Sequence, residues 1–387
     1  MMKKMKAFCL MLLLLLCVSS IALGETFTFS LVGDCTVGDQ WIYHGYGSSF
    51  TYKISQAGLD YPFSLVADLF AADDLTIANC EGVLTDRQPG SNAKFMTLGA
   101  ETKFGEVFKL GNVDVCNIAN NHAKDFGEKG RQDTIDTLTA LGIGVFGDDE
   151  LYETEIKGVK IGIVGYTYPI NESKMKRYAA SIQQLKDDGC TFIIASAHWG
   201  KEESYNINLD QRTYGPELID LGADMVYGHG SHTLQPIQIY NGKVIFYSLA
   251  NFTFGANSSP KDDDTAVMQV TYTINDDGTM DLQKLTALPF KMCKDRDFRP
   301  YPIEDEEGKL QVWKKLVFYK SKDPDSGLPE SFLTTGVAVF QEIEEEATPT
   351  DLTEATPTDV TEATLTDLPE ATASDLRLSV VETSEGE

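Results

Sequence analysis

Two hydrophobic periods alternate along the 387-residue chain. Short, nearly continuous apolar runs read as buried strands: TFTFSLVGD (26–34), LTIANCEG (75–82), VDVCNIANN (113–121), TFIIASA (191–197) and ADMVYG (223–228), with a short one at GVFG (144–147). Between them the spacing lengthens to that of a helix. YPFSLVADLFAADD (61–74), FGEVFKLGN (104–112), EKGRQDTIDTLTALG (128–142), AASIQQLKDDG (179–189) and GPELIDLG (215–222) are the predicted helices. The third places Ile135, Leu138 and Leu141 on one face and ends at Gly142, and the last has Pro216 in its first turn. Three segments read as hairpins, turning at Lys157-Gly158, Asn241-Gly242 and Asp277-Gly278. Strands that alternate with helices imply βαβ crossovers and a largely parallel α/β core, to which the hairpins add antiparallel strands. Past Phe254 the pattern changes. KLQVWKKLVFYKS (309–321) reads as a helix or a helix running into a strand, and GVAVFQEI (336–343) as a last strand. Residues 256–343 are thus expected to form a C-terminal extension packed on the main domain, residues 25–255.

Both ends lack this patterning. Residues 1–24 carry Lys3, Lys4 and Lys6, then an apolar run from Phe8 to Val18, then Ala22-Leu23-Gly24. That is the layout of a secretory signal peptide, and it predicts a secreted or cell-surface protein. Its apolar core is short for a membrane span, so membrane attachment is expected only through an uncleaved signal anchor. Residues 344–387 contain EATPTDLT, EATPTDVT, EATLTDLP and EATASDLR, a repeat of period eight. An acidic, Thr-rich segment without aromatics buries too little surface to offset its ordering entropy, so a disordered tail is expected.

Charge is distributed unevenly. The formal net charge is −27, and from Gln341 onward fourteen acidic residues face a single basic one, Arg377. The body between leader and tail remains acidic, which disfavours a nucleic-acid partner. Seven cysteines fall to five without the leader, an odd number with no CxxC, so no disulfide framework is expected. Cys35, Cys80 and Cys116 lie in strand-like runs and read as small buried hydrophobes, with soft metal ligation as the alternative.

The chemistry concentrates just past strand ends. Four of five histidines lie in NIANNHAKD (117–125), SAHWGKEE (196–203) and YGHGSH (227–232), each after an apolar run, while His44 has no such context and reads as surface. Ligands collect at the carboxyl edge of the sheet in open α/β folds. The candidate metal ligands are Asp34, Glu81, Asn121, His198, His229 and His232. Asn79 and Asn120 stand beside them, and Glu202 and Trp199 nearby. His122 is the candidate general acid, with Asp125 either orienting it or capping the following helix. Carboxylate, amide oxygen and imidazole together suit Mn²⁺, Zn²⁺ or iron better than Ca²⁺, as one ion or two.

Six segments in order carry a resemblance: VGD (32–34), NCEG (79–82), NNHAKDFGEKG (120–130), AHWGKE (197–202), GHGSHTLQP (228–236) and VIFYSLANFTFG (244–255). The arrangement resembles the poly-gamma-glutamate capsule biosynthesis (CapA-type) family, whose fold is similar to that of calcineurin-type metallophosphoesterases. The resemblance implies a four-layer αββα sandwich. Asp34 matches the first metal-binding aspartate, and Glu81 stands where metallophosphoesterases place a bridging aspartate. Asn121 and His122 match the Asn-His pair, and His198, His229 and His232 the three later histidines. Two positions depart. Thr36 replaces the histidine of Asp-x-His, and GHGSH replaces the family's usual GHHPH. The last segment, YSLANFTF, is close to the family's YSLGNFxF.

The function this implies is that of an exported protein of capsule or cell-envelope polymer biosynthesis of the poly-gamma-glutamate type, working as a metal-dependent hydrolase-like enzyme. The alternatives are an extracellular metallophosphoesterase acting on nucleotides or phosphorylated glycans, and a non-catalytic envelope assembly protein.

Overall fold

A computed structural model describes residues 24–91, 94–257, 259–317 and 326–341. The predicted leader, up to residue 23, and the repeats lie outside the described residues. The chain divides into residues 1–343 and 344–387, and every described element belongs to the first unit. Its amino-terminal half supplies β1 (Thr26–Thr36), β2 (Asp39–Gln40), β3 (Leu75–Cys80), β4 (Val83–Leu84), β5 (Leu98–Ala100), β6 (Val115–Asn117) and β7 (Gly144–Phe146). Next come β8 (Tyr152–Ile156), β9 (Val159–Thr167), β10 (Phe192–His198), β11 (Met225–His229), β12 (Ile237–Tyr240), β13 (Lys243–Phe246) and β14 (Asn251–Phe254). The last four are β15 (Asp264–Ile274), β16 (Met280–Lys291), β17 (Tyr301–Pro302) and β18 (Val337–Val339).

Among the described residues these form two large sheets and a small one. The first has the order β17-β16-β15-β1-β3-β6-β7, with β14 also pairing β1 and β18 pairing β16; the second runs β12-β13-β11-β10-β9-β8; the small one is β2-β5-β4. Strands β1, β3, β6 and β7 are mutually parallel, as are β9, β10, β11 and β13. Period-two alternation sends Phe27, Phe29, Leu31 and Ile77 of the first sheet to one face. There they meet Ile161, Ile163, Phe192, Ile194 and Tyr227 of the second sheet in one buried cluster. The opposite faces are covered by helices. Val32, Ala78 and Cys116 pack with Phe63, Phe104 and Leu138, and Val164, Ala195 and Val226 pack with Tyr178, Ile182 and Leu218. Three apolar layers between four structural layers make the αββα sandwich.

The expected C-terminal extension is instead part of the first sheet. β15 pairs antiparallel with β1 from Thr26↔Thr273 to Leu31↔Met268, and β16 continues beyond it. The long hairpin is apolar enough to take the flank of β1 that a parallel strand leaves open. The predicted helix at 215–222 begins earlier, at Leu209, so Pro216 lies inside it. The cause is a capping box in which Asn208 accepts from the Gln211 amide while Gln211 accepts from the Asn208 amide, a start signal stronger than proline. The helix over 172–187 likewise starts before its predicted position, capped by Asn171. The segment at 61–74 makes only a 3-10 turn and one short helix. Helix Phe50–Ala57, capped by Ser49, was not foreseen. No helix among the described residues is long and apolar enough to cross a membrane.

Candidate metal centre

Strand register brings the site together. Parallel pairing sets His198 at the end of β10 beside His229 at the end of β11. In the other sheet Asp34 at the end of β1 pairs with Asn79 on one side and Asn251 on the other. The carboxyl ends of both sheets therefore open on the same edge, and residues distant in sequence meet there.

Two groups of donors share Asp34. Asp34, His198 and His229 form one, and Asp34, Glu81 and His232 the other, and each set offers donor atoms close enough to hold a metal ion. Asp34 Oδ1 lies 3.7 Å from His229 Nδ1 and 4.0 Å from His198 Nδ1, and the two imidazole Nδ1 atoms are 2.9 Å apart. Asp34 Oδ2 lies 3.2 Å from His232 Nδ1, whose Nε2 is 3.8 Å from Glu81 Oε1. The side chain common to both groups is Asp34, and Glu81, the residue that the resemblance put in the bridging position, belongs to the second. Asn79 Nδ2 donates to Asp34 Oδ1 (2.8 Å) and Gly230 N to Oδ2 (3.2 Å), fixing the carboxylate from both sides.

The surrounding bonds orient these donor side chains. Ser196 Oγ pairs with His229 Nε2 at 3.0 Å, which turns Nδ1 toward Asp34. Asn251 Oδ1 lies 2.8 Å from His232 Nδ1. Asn117 Nδ2 donates to Asn79 Oδ1 at 2.7 Å, extending the amide chain behind Asp34. Ser196 and Asn117 escaped the sequence reading. The signal for Ser196 was its place two residues before His198, on the same strand face.

Charge is unevenly distributed among these groups. Burial pulls the His198 and His229 imidazoles down, His229 to about 4, so both are neutral donors at neutral pH. Burial also lowers His232, but the Glu81 and Asp34 carboxylates outweigh it and lift its pKa to about 10. Burial raises Asp34, yet the bond to His232 and the nearby imidazoles hold it below the ordinary carboxylate range. Glu81 goes the other way, raised well above 4.5 by burial and by Asp34. Both Glu81 carboxylate oxygens and Asn121 Oδ1 are buried without a hydrogen-bond partner. Unpaired buried oxygens, neutral imidazoles and a shared carboxylate are a donor set that fits a divalent cation.

Above the cluster lies a cleft of about 320 Å³, lined by Asn121, His122, Glu202, His232 and Asn251 among others. His122 Nδ1 is 2.6 Å from Asp125 Oδ2, which also accepts from the Leu98 amide. Asp125 therefore orients His122 and does not cap the next helix, whose N-cap is Phe126. Trp199 is buried, donating to the Tyr247 carbonyl, and fills the core rather than walling the cleft. His44 is not bare surface, since it stacks on Trp41 and lies 3.1 Å from Asp39. Cys35, Cys80 and Cys116 pack in the core between sheet and helices, where burial pushes their thiols up, so they are poor donors.

Both sequence departures have a local explanation. Thr36 Oγ1 donates to the Glu81 carbonyl at 2.7 Å, so the side chain is spent on the backbone just past β3. Gly230 has φ +100°, and a Cβ there would lie 2.9 Å from His198 Nε2. The His198 ring uses the space that a side chain at 230 would need.

Fold and site together define an α/β sandwich with a carboxylate–histidine centre at its carboxyl edge. The chain belongs to the family described as bacterial capsule synthesis protein PGA_cap, which matches residues 28–256. It is 29% identical over 332 residues to the PGA biosynthesis protein CapA of Bacillus subtilis (strain 168), covering 74% of this chain and 82% of that one. It is 25% identical over 325 residues to the capsule biosynthesis protein CapA of Bacillus anthracis, covering 77% and 75%. Among solved structures, the sulfate thiohydrolase SoxB of Thermus thermophilus aligns over 60% of this chain and 43% of its own at 15% identity, with a TM-score of 0.39. That likeness is too distant to bear on activity.

Proposed function

We propose that this chain is an exported protein of poly-gamma-glutamate-type capsule or cell-envelope polymer biosynthesis, and that it acts there as a metal-dependent hydrolase. The names of its relatives support the polymer. The observation that carries the chemistry is Asp34 shared between two buried donor groups, one of which contains Glu81, whose two buried oxygens have no hydrogen-bond partner. Asp34, His198 and His229 would hold one Mn²⁺ or Zn²⁺, and Asp34, Glu81 and His232 a second once that ion displaces the proton His232 carries, with Asn121 at the margin. When bound, such an ion polarises a carbonyl or phosphoryl oxygen and acidifies water.

The remaining work falls to the chain itself. Asp125 holds His122 through Nδ1, leaving Nε2 as the nitrogen that gives a proton to the departing group. The cleft holds the substrate against this edge. A second reading, an extracellular phosphoesterase, draws on Lys94 and Lys261, cations in the lining of the same cleft that would suit a phosphorylated small substrate. The test is metal analysis of protein purified without chelator, followed by hydrolysis assays on γ-linked polyglutamate and on phosphodiesters. Metal-dependent cleavage of the polymer supports the first reading, and cleavage of phosphodiesters alone the second. Bound metal with neither activity overturns both, and absence of metal leaves a non-catalytic assembly role.

A further inference from the structure

Large hydrophobic side chains are exposed in one place out of proportion. Among the described residues, Ile42, Tyr43, Tyr46, Tyr52, Phe95 and Met96 make up six of the eleven such exposed residues. They come from two segments that are joined directly. Trp41 N donates to the Thr97 carbonyl (2.8 Å) and Gln40 Nε2 to the Phe95 carbonyl (3.1 Å), continuing the β2–β5 pairing. Tyr43 and Tyr46 sit ring to ring, with centroids 6.5 Å apart. Phe95 is 70% exposed, Tyr46 63% and Tyr43 53%.

This shelf is continuous with the cleft, since Met96 and its neighbour Lys94 also line the cavity above the metal centre. It differs from the rest of the molecule in charge. The chain carries 59 acidic residues, yet none falls between Gln40 and Leu59 or between Arg87 and Ala100. Exposed charges more than about 8–10 Å away are screened at physiological ionic strength. A ligand on the shelf meets aromatic faces and Lys94, whose Nζ lies 3.8 Å from Asp125 Oδ1. The acidic residues of the cleft, Glu202, Glu203 and Asp262, come from other segments, and Lys261 lies among them.

We infer that the aromatic shelf Tyr43–Tyr46–Phe95, with Lys94 at its inner margin, is an extended subsite that carries the continuing units of an anionic polymer away from the cleft. This rests on the polymer reading of the site and deepens it, because the reacting unit sits in the cleft while the next units lie across the shelf. Flat amide groups stack on exposed aromatic rings, which are large and stiff enough to bind at small entropic cost. A carboxylate of the polymer would gain from the exposed Lys94 ammonium, which it would share with the buried Asp125.

The experiment is equilibrium binding by fluorescence anisotropy, with the full chain and fluorescein-labelled γ-linked oligoglutamates, a dimer and a decamer. Binding is read without turnover, so absence of hydrolysis would count against the hydrolase reading and leave this one standing. The native chain should bind the decamer at least about tenfold more tightly than the dimer. The triple variant Y43S/Y46S/F95S, changed only at exposed positions and checked for an unaltered far-UV spectrum, should lose that difference while keeping its affinity for the dimer. Lys94→Gln should weaken decamer binding and flatten its salt dependence. Equal affinity of the native chain for both lengths overturns the inference. So does a triple variant that retains full decamer affinity, or one whose single defect is in binding to phosphatidylcholine vesicles, which would assign the shelf to a lipid surface.

Discussion

The two ends of the sandwich strands handle buried polar groups in opposite ways. At the amino ends an aspartate precedes each of three strands and accepts the amide at the start of a neighbour: Asp74 from Thr28, Asp114 from Thr76 and Asp224 from Ile193, each at 2.8 Å. Lys157 and Lys243 neutralise the first and third. At the carboxyl ends Glu81 and Asn121 have oxygens with no partner, two histidines face each other through Nδ1, and His232 and Ala250 adopt left-handed backbone. Buried polar groups are ordinarily satisfied, and an unpaired one costs about 1–3 kcal/mol. One end is built to hold the sheets together. The other withholds bonds that a bound ion would supply.

The largest effects should come from the carboxyl end. Asp34→Ala removes the side chain common to both donor groups, so bound metal should vanish and hydrolysis fall by at least about 10³-fold. His122→Ala should keep its metal and lose roughly 10²–10⁴-fold in turnover. Metal lost equally from both variants would break the division between ligand and acid.

Next is stability in chelator. Glu81→Gln removes a buried carboxyl whose oxygens have no hydrogen-bond partner, so the metal-free variant should melt higher than the native chain, by several degrees, which corresponds to roughly 1–3 kcal/mol. With metal added the order should reverse. A variant less stable in both conditions would mean that Glu81 is structural.

Asp73 tests the amino end, because it breaks the pattern there. Its Oδ1 is buried without a partner, and burial lifts its carboxyl from 3.8 to about 7. A carboxyl whose pKa rises on folding contributes stability fully below about 3.8, and that contribution is lost as pH rises through about 7. Asp73→Asn should change little at pH 4 and raise stability at pH 8 by on the order of 1–2 kcal/mol, after allowance for its partial exposure. Thermal melts at the two pH values decide it, and a gain of equal size at both would exclude titration as the cause.

The smallest effect is backbone strain beside the site. Ala250 has φ +62°, where the family pattern has glycine. Ala250→Gly should stabilise by about 0.5–1 kcal/mol, the left-handed penalty less the entropy cost of glycine. A loss of stability in denaturant melts would show that the Ala250 methyl packs more than its conformation costs.

Much of the site was legible in the chain. Asp34, Glu81, His198, His229 and His232 were visible because scarce ligand types sat past strand ends, and parallel register then forces such ends to one edge. The hairpin turns were fixed by Asn241-Gly242, Lys157-Gly158 and Asp277-Gly278. Register itself was not legible. Period-two patterning says which face a side chain takes but not which neighbour it meets, so Asp34 as the side chain common to both donor groups, and Asn117 and Ser196 as supports, emerged only from the pairing. The hairpin 264–291 was misplaced for the same reason, since apolar alternation gives no address in a sheet. Helix starts at Leu209 and Glu172 were missed because the caps Asn208 and Asn171 outweigh the weaker apolar periodicity of the first turns.

If the unsatisfied end of the sandwich is a divalent metal centre, the full chain should retain metal there. The most direct measurement is metal content by mass spectrometry after dialysis of the full chain against micromolar Mn²⁺ or Zn²⁺, compared with His229→Ala. One or two equivalents in the native chain and a clear loss in the variant are predicted. No retained metal in the native chain, or equal retention in the variant, would contradict the account.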